Sequence, residues 1–403
     1  MSLVAVDLGA SSTRYCSDSG IISVIPNNTV FMPSMEVSKL QSEANDIESN
    51  LEVQIIKHEA NPTETDMDKK LQCFPVNILV GIMAEKHMDV DVRPDLNLHK
   101  HEQMINYVSA VLACAVSKLK YGIDGDIDLY LAVPPIELNR AAEEFKRRLV
   151  GTYTVNFPKY NGGTSVEITI GNVFCTAESL MACTSFFFNG NGSIREEAKK
   201  YMMGTVLSMD IGASTTDLAI IRKGNFLDKS GKTYKIGGNV ARDNLADMIT
   251  ERYAFDLPIP DLERTMAEGR LQMGNTYVDV SDMVASVKTN LAKQLIQHMQ
   301  TYFKQVNIPI QTINTIVVSG GGSMQSQYAN ENGEMIKTSE PMSYFVTQQL
   351  TSDYSKGTDI VAYGEEARFA NIKGLFIKAK FDSVKRAKEA EQKAAQIASG
   401  AVE

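Results

Sequence analysis

Two short acidic turns in this chain have nearly the same sequence. Asp7-Leu-Gly-Ala-Ser-Ser-Thr13 recurs as Asp210-Ile-Gly-Ala-Ser-Thr-Thr216, and each copy lies between two short β-prone runs. Small residues let backbone N–H groups converge on an anion, and serine and threonine hydroxyls add further donors. The sequence therefore predicts a phosphate-binding hairpin at each turn. The candidate ligands are Gly9, Ser11, Ser12 and Thr13 in the first turn and Gly212, Ala213, Ser214, Thr215 and Thr216 in the second.

An aspartate heads each of these turns. A carboxylate alone would repel phosphate, so Asp7 and Asp210 fit the site only if a cation lies between them and the anion. Mg²⁺ prefers oxygen ligands and keeps several of its waters. The two turns together predict that a nucleotide's phosphates and its Mg²⁺ are held from both sides, with the metal bound by Asp7 and Asp210, through water. A single Asp-x-Gly turn is common; the matched pair is what favours the functional interpretation.

A run of three glycines forms a third candidate binding segment. Gly320-Gly-Gly322 and Met324 follow the apolar run Ile313 to Val318, and their spacing differs from both the P-loop and the dinucleotide fingerprint. Three glycines leave a flat backbone surface suited to a purine or ribose, with methionine as a soft contact. Taken alone, the segment is equally well explained as a strand-to-helix turn.

A further glycine pair, Gly237 and Gly238, precedes a predicted helix from Val240 to Tyr253. The N-terminus of that helix is a candidate nucleotide contact, and the alternative is that Asn239 is simply its N-cap.

Strand-like and helix-like segments alternate along the chain, which is typical of α/β architecture. Because the two acidic turns recur, we expect two related halves. The clearest segments are a strand at Leu129 to Val133 and helices at Arg140 to Leu149, Glu178 to Phe188 and Asp282 to Gln305, the last with apolar residues at three- and four-residue intervals.

The composition excludes several classes of protein. At about 150 residues per domain, 403 residues suggest two to three domains. A net charge of −9 argues against direct DNA binding, and the five cysteines contain no C-x-x-C pair for zinc. The N-terminus lacks the basic flank of a signal peptide, and the longest apolar run, Val108 to Val116, is far below the ~20 residues of a membrane helix. We therefore expect a cytoplasmic protein without a membrane span.

Three further segments carry structural expectations. The composition changes between Val37 and Pro94, which suggests an inserted surface subdomain. His99 and His101 are expected to be surface residues rather than metal ligands. The Ala- and Lys-rich segment Lys378 to Glu403 is either a solvated helix or a frayed tail, and we expect a disordered or lightly docked end.

The order and separation of the two hairpins, the intervening helix and the glycine motif resemble the actin, heat-shock chaperone and sugar kinase superfamily of ATPases. Within it, the chain resembles the bacterial actin-like proteins of the ParM and Alp group, which segregate plasmids. The resemblance covers nearly the whole chain. It implies an actin-like α/β fold with two domains around a nucleotide cleft: residues 1–190 with 357–403 as domain I, including an insert at about 37–94, and residues 191–356 as domain II.

The resemblance also implies roles for individual residues. The family's first phosphate motif matches Asp7, Gly9 and Thr13; its second matches Asp210, Gly212, Thr215, Thr216 and Asp217. Arg14 stands where the family carries a phosphate-contacting lysine, and this departure replaces a point charge with a planar fork. Glu178 falls where the family places the residue that positions the attacking water, although a glutamate at a helix N-terminus is also favoured by the helix dipole alone.

The remaining matches concern the nucleoside. Gly237 and Gly238 resemble the ribose-side glycines, while Gly320, Gly321 and Met324 resemble the adenosine motif. Glu263 and Arg264 correspond to a charged pair beside the adenine. The catalytic candidates are therefore Glu178, Asp210 and Asp7.

The function that this resemblance implies is an ATPase whose filaments grow and shrink with the nucleotide. ATP and Mg²⁺ would be its cofactors, with GTP left open. Its partners would be further copies of itself and a DNA-binding adaptor of the ParR type on a centromere-like site. A small-molecule kinase of the same superfamily is the alternative, with Asp217 available as a base. A chaperone would need a substrate-binding region after the segment Asp359 to Phe369, and a membrane-attached relative would need a terminal amphipathic anchor.

Overall fold

The computed structural model describes residues 1–10, 12–32, 47–48, 50–58, 76–81, 83–84, 98–227, 229–324, 327–329, 335–337, 339–354, 357–362 and 364–398. Within these ranges, strands and helices build two large sheets with helices packed against them.

The first sheet is formed by the N-terminal part of the chain. Its described strands are β1 (Ser2–Leu8), β2 (Ser12–Ser17), β3 (Ile22–Pro26), β4 (Thr29–Met32), β5 (Asn50–Lys57), β6 (Val76–Gly81), β7 (Ile127–Val133), β8 (Gly151–Phe157) and β9 (Thr164–Ala177). They lie in the order β3-β2-β1-β7-β9-β8-β5-β6-β4. β1 pairs antiparallel with β2 and parallel with β7, and β7 is parallel to β9.

The second sheet repeats the central part of the first. Its described strands are β10 (Thr205–Ile211), β11 (Thr216–Arg222), β12 (Asn225–Phe226), β13 (Lys232–Tyr234), β16 (Thr315–Ser319) and β19 (Asp359–Ala362). β10 pairs antiparallel with β11 and parallel with β16, as β1 does with β2 and β7. Two separate hairpins are formed by β14 (Arg270–Met273) with β15 (Thr276–Asp279) and by β17 (Gln327–Ala329) with β18 (Met335–Lys337).

Where a helix was predicted, its observed first and last residues agree with the predicted ones to within two residues. The α-helices whose bounds are described are α1 (Met104–Tyr121), α2 (Leu138–Leu149), α3 (Glu178–Phe187), α4 (Gly238–Tyr253), α5 (Ile259–Glu268), α6 (Ser281–Val306), α7 (Met342–Tyr354) and α8 (Ala370–Ala398). The predicted helices at 140–149, 178–188, 240–253 and 282–305 are confirmed as α2, α3, α4 and α6. None of the helices in the described ranges is long and apolar enough to cross a membrane.

Helix α3 packs against both sheets. Met181 belongs to an apolar cluster with Ala5 of β1 and Leu375 of α8, whereas Phe186 and Phe187 belong to a cluster with strands of the second sheet. The helix is therefore a direct mechanical link between the two sheets, and its first residue is Glu178.

The C-terminal segment is the clearest correction to the sequence analysis. The expected disorder is wrong as far as Ala398, because α8 runs to that residue; the alternative of a solvated helix agrees with the structure, since residues 387–393 are exposed. Arg386 forms an ion pair with Asp128, donates a hydrogen bond to Tyr130 and lies over the ring of Phe174. Residues 399–403 lie outside the described ranges.

Two expectations about domain boundaries are qualified by the strand pairing. Parts of the predicted insert at 37–94 form β5 and β6, which extend the first sheet through β8 and β4, and most of the remainder lies outside the described residues. The predicted boundary at residue 357 groups β19 with domain I, yet β19 pairs with β16 in the second sheet. The assignment of two domains itself stays a prediction.

Gly374 tests the contact between α8 and α3. A Cβ at this position would overlap the carbonyl oxygen of Met181. Glycine-to-alanine changes inside helices normally stabilise a protein. We expect Gly374→Ala instead to lower the free energy of unfolding by about 1–3 kcal/mol, as at other overpacked sites, because the new Cβ overlaps Met181. Urea unfolding measures the change. Gly190→Ala is the matched control, because a Cβ there meets nothing within 4 Å. Equal stability of the two variants would contradict the packing described here.

Candidate functional site

The two aspartates predicted to hold a metal lie at equivalent places in the two sheets. Asp7 is near the end of β1 opposite Arg14 of β2, and Asp210 is near the end of β10 opposite Asp217 of β11. Both side chains are buried, with 4% and 5% of Asp7 and Asp210 exposed. The hairpin geometry therefore places each carboxylate at the carboxyl end of a central strand, where α/β folds commonly bind ligands.

The acidic residues of different elements converge. Carboxylate oxygens of Glu178, Asp210 and Asp217 lie within 4.8 Å of one another. Asp7 is close enough to act electrostatically on both Asp210 and Glu178. The structure thus groups Glu178 and Asp210 with Asp217, and Asp7 lies within electrostatic range of the group. We call Asp7, Glu178, Asp210 and Asp217 the acidic cluster.

Burial makes ionisation of this cluster unfavourable. Desolvation raises the pKa of Asp217 to about 7, and it raises the pKa of Asp210 above its ordinary value. The pKa of Glu178 is also well above its ordinary range, first because of burial, while the Lys100 ammonium opposes that rise. Neighbouring carboxylates add to each shift. A hard divalent cation such as Mg²⁺ prefers oxygen ligands, and its charge would favour the ionised form of these buried carboxyl groups.

Among the residues that the structure describes, Arg14 and Lys100 reach the cluster. Arg14 Nη1 lies 3.3 Å from Asp7 Oδ2, and Lys100 forms an ion pair with Glu178. Arg14 follows its hairpin directly and was expected here. Lys100 was missed, because it belongs to a short 3-10 turn, Lys100–Glu102, that contains no recognisable motif.

The structure agrees with the expectation for His99, which is exposed, and corrects it for His101 in the same turn. His101 is only 2% exposed, so its assignment to the surface is wrong. Its ring stacks on that of His99 with centroids 5.5 Å apart, and its Nδ1 lies 3.4 Å from a carboxylate oxygen of Glu137. The pair is thus part of the packing that holds Lys100 in place.

The triple glycine lies against the second acidic turn. Gly320 has φ of +92°, and a Cβ on it would overlap Ile211 and the Asp210 carboxylate. A Cβ on Gly322 would overlap the carbonyl of Gly212. Gly321 lies beside Arg14 of the first hairpin and the stem of Arg368. Only glycine permits the close approaches at positions 320 and 322, so the second turn and the glycine motif meet at one place, which the Arg14 side chain of the first hairpin also reaches.

Two polar side chains that sequence reasoning missed orient Asp210. Asn371 Nδ2 donates to Asp210 Oδ2 at 2.7 Å, and Ser319 Oγ donates to Asp210 Oδ1 at 3.4 Å. Asn371 comes from α8, far along the chain from β10, so no local pattern could have identified it.

The glycine pair before α4 contacts the second turn through its backbone. Gly238 N–H donates to the carbonyl of Gly212 at 3.0 Å, and Asn239 N–H donates to that of Ala213 at 2.7 Å. The helix N-terminus therefore holds the turn in shape. Gly237, not Asn239, is the N-cap residue, which corrects the alternative reading; the Asn239 side chain donates to Ser214 Oγ.

Some predicted ligands have other partners, and others fall outside the description. Thr13 Oγ1 donates to Asn27 Oδ1 at 2.9 Å, and Thr216 Oγ1 donates to the carbonyl of Ile236 at 2.7 Å, so both hydroxyls brace their turns. Glu263 is exposed on α5. Gly9, Ser12 and Thr215 are half-buried at the turns. Ser11 and the side chain of Met324 lie outside the described part of the chain.

Comparison with known proteins identifies the fold. The family of archaeal actin homologues described as MreB-like, C-terminal, matches residues 208–328. The structure resembles actin-like protein Alp7A (TM-score 0.71, 18% identity, 98% of this chain and 99% of that one). It also resembles an archaeal actin homologue (0.65, 14%, 95% and 100%) and Bacillus thuringiensis ParM with ATP (0.63, 18%, 95% and 99%). No curated protein sequence matched significantly. The fold is actin-like, and the predicted resemblance to ParM and Alp proteins is confirmed.

Asp217 should make the stability of the ligand-free protein depend on pH. Its pKa is about 7 in the folded chain, against about 3.9 when unfolded. Between these values the folded state binds more protons, so the free energy of unfolding should fall as the pH rises from about 4 to about 7. Asp217→Asn should flatten this part of the profile, as measured by urea unfolding at several pH values without metal or nucleotide.

The control for this measurement is Asp243→Asn, at a side chain that is 67% exposed beside Arg242. It should keep the profile of the unaltered protein. An unchanged slope in Asp217→Asn would show that Asp217 is ionised in the ligand-free fold.

Proposed function

We propose that this chain is a nucleotide-dependent, filament-forming ATPase that moves plasmid DNA. The observation that carries the proposal is the acidic cluster, which collects carboxylates from both hairpins and from α3 at the place where the glycine turn meets both hairpins. Burying several carboxylates together destabilises a fold, and a bound cation with its anion would offset that destabilisation. The actin-like fold, found in a ParM structure that contains ATP, supports this reading.

The residues of the chain would divide the work as follows. Backbone N–H groups of the two turns would bind phosphate oxygens, and Arg14 would add a charged donor. Asp7 and Asp210 would hold Mg²⁺ through water, and the ion would neutralise phosphate charge when bound. Glu178 would orient the attacking water and accept its proton, in line with the terminal phosphate. The glycines at 237–238 and 320–322 would accommodate the nucleoside.

Assembly would follow from the same arrangement. Because α3 packs on both sheets and begins with Glu178, the nucleotide state and the relative position of the two sheets would be coupled. A head-to-tail contact that does not close into a ring gives an open filament. A DNA-binding adaptor of the ParR type would then link cytoplasmic filaments to the plasmid. GTP could replace ATP without changing these roles.

The alternative, a small-molecule kinase, receives no specific support. Asp217 is the available base, but its carboxylate is buried and accepts a hydrogen bond from Thr233. The carboxylate of Asp217 is therefore engaged by a neighbouring strand of the second sheet.

Assembly is tested by light scattering and pelleting. With Mg²⁺ and ATP or GTP, the protein should polymerise cooperatively above a critical concentration, and polymer should disappear as nucleotide is consumed. Excess EDTA should prevent assembly, because the triphosphate then lacks its cation. A protein that stays monomeric over a wide range of salt and nucleotide, yet phosphorylates a sugar or an acid, would contradict the proposal.

Glu178→Ala should separate hydrolysis from assembly. Loss of a general base typically costs about 10²-fold or more in rate, whereas the phosphate-binding turns are unchanged. We therefore expect slow phosphate release and polymers that persist after assembly. Glu197→Ala, at an exposed side chain outside the cluster, should behave like the unaltered protein. Normal phosphate release from Glu178→Ala would remove Glu178 from the mechanism.

A further inference from the structure

Lys100 is placed between two groups of the acidic cluster. Its ammonium forms an ion pair with Glu178 Oε1 and interacts electrostatically with the carboxylate of Asp7. The two partners are mostly covered: 18% of the Lys100 side chain and 10% of the Glu178 side chain are exposed. Exposed ion pairs contribute little, whereas a covered, hydrogen-bonded pair restrains both side chains.

The backbone around Lys100 is held from two helices. Its N–H donates to Glu137 Oε2 at 2.9 Å, just before α2, and its carbonyl accepts from Asn106 Nδ2 of α1 at 2.9 Å. Tyr107 of α1 donates to the carbonyl of His101 at 2.6 Å. The turn is thus fixed on α1 and α2, while the Lys100 side chain reaches across to α3.

This arrangement settles which carboxylate oxygen of Glu178 is engaged. The ammonium contacts Oε1, and no hydrogen bond from a described residue to Oε2 occurs. A glutamate at the first position of a helix has several side-chain rotamers, and a water-orienting carboxylate must be held in one of them. A fixed ammonium on one oxygen restricts the side chain and leaves the second oxygen available.

We propose that Lys100 is a positioning residue for hydrolysis, acting through Glu178 rather than through the nucleotide. The inference rests on the proposed function, because it assumes that Glu178 orients the attacking water. It adds a residue from outside the matched turns and glycine motifs, on a turn anchored to helices of the first sheet. Hydrolysis would then depend on how the Lys100–Glu102 turn and α3 lie relative to each other.

A double-mutant cycle tests the proposal. Steady-state phosphate release is measured for the unaltered protein, Lys100→Met, Glu178→Gln and the double variant, with nucleotide affinity measured separately. Lys100→Met should lower kcat by roughly tenfold to a hundredfold, the range expected for misplacing a catalytic group, while KM changes less than about threefold. In the Glu178→Gln background the same change should have no further effect, since the two residues act as one unit.

Two further variants separate positioning from folding. Lys120→Met is the matched control, because it removes a lysine–glutamate pair with Glu48 in the same sheet region, away from the cluster; its kcat should match that of the unaltered protein. If Lys100→Met does not fold, Lys100→Arg replaces it. The guanidinium keeps the charge, so this variant should recover part of the kcat and retain KM.

The kcat and KM values from the cycle decide whether Lys100 acts through Glu178. The proposal would be overturned if the effects of the two single substitutions on kcat multiply in the double variant, or if a rise in KM accounts for the lost activity. It would also be overturned if folded Lys100→Met keeps the kcat of the unaltered protein, or if the kcat of Lys100→Arg is no higher than that of Lys100→Met. Absence of hydrolysis by the unaltered protein would instead overturn the proposed function, and this inference with it.

Discussion

Several carboxylates are buried close together, and the described residues do not fully offset the free-energy cost of ionising them there. Taking an ionised carboxylate out of water is expensive, and like charges nearby increase the cost. Among the described residues, Lys100 and Arg14 bring positive charge to the cluster, and Asn371 and Ser319 donate to Asp210. These contacts leave ionisation of the cluster unfavourable at the point where the hairpins and the glycine turn meet. A cation bound together with an anion would make ionisation of these carboxylates favourable. For this reason we interpret the site as functional rather than structural.

The rest of the fold serves to bring those carboxylates together. Two hairpins of equivalent register each place an aspartate near the end of a central strand, and glycines allow the third turn to approach them closely. Helix α3 supplies Glu178 while packing on both sheets, and Gly374 of α8 permits α8 to lie directly on α3. A single short helix that begins with Glu178 therefore contacts both sheets.

The sequence predicted the features that repeat or that follow local rules. The duplicated turns gave Asp7 and Asp210, and apolar periodicity gave α6 almost to the residue. Lys100 and Asn371 were missed because their roles arise from contacts with elements distant in sequence. The end of the chain was misjudged only in part: its composition suggests a solvated segment, and residues 387–393 are exposed, but they belong to a helix that Arg386 docks onto Asp128. Thr13 and Thr216 were expected at phosphate, but each hydroxyl donates to a residue outside its own turn, Asn27 and Ile236 respectively.

The most direct measurement is a structure determined with Mg²⁺ and a slowly hydrolysed ATP analogue. The account predicts one triphosphate bridging the two hairpins, with the ion's water shell in contact with both Asp7 and Asp210 and a water near Glu178. A nucleotide bound elsewhere, or an ion that approaches neither aspartate, would contradict it.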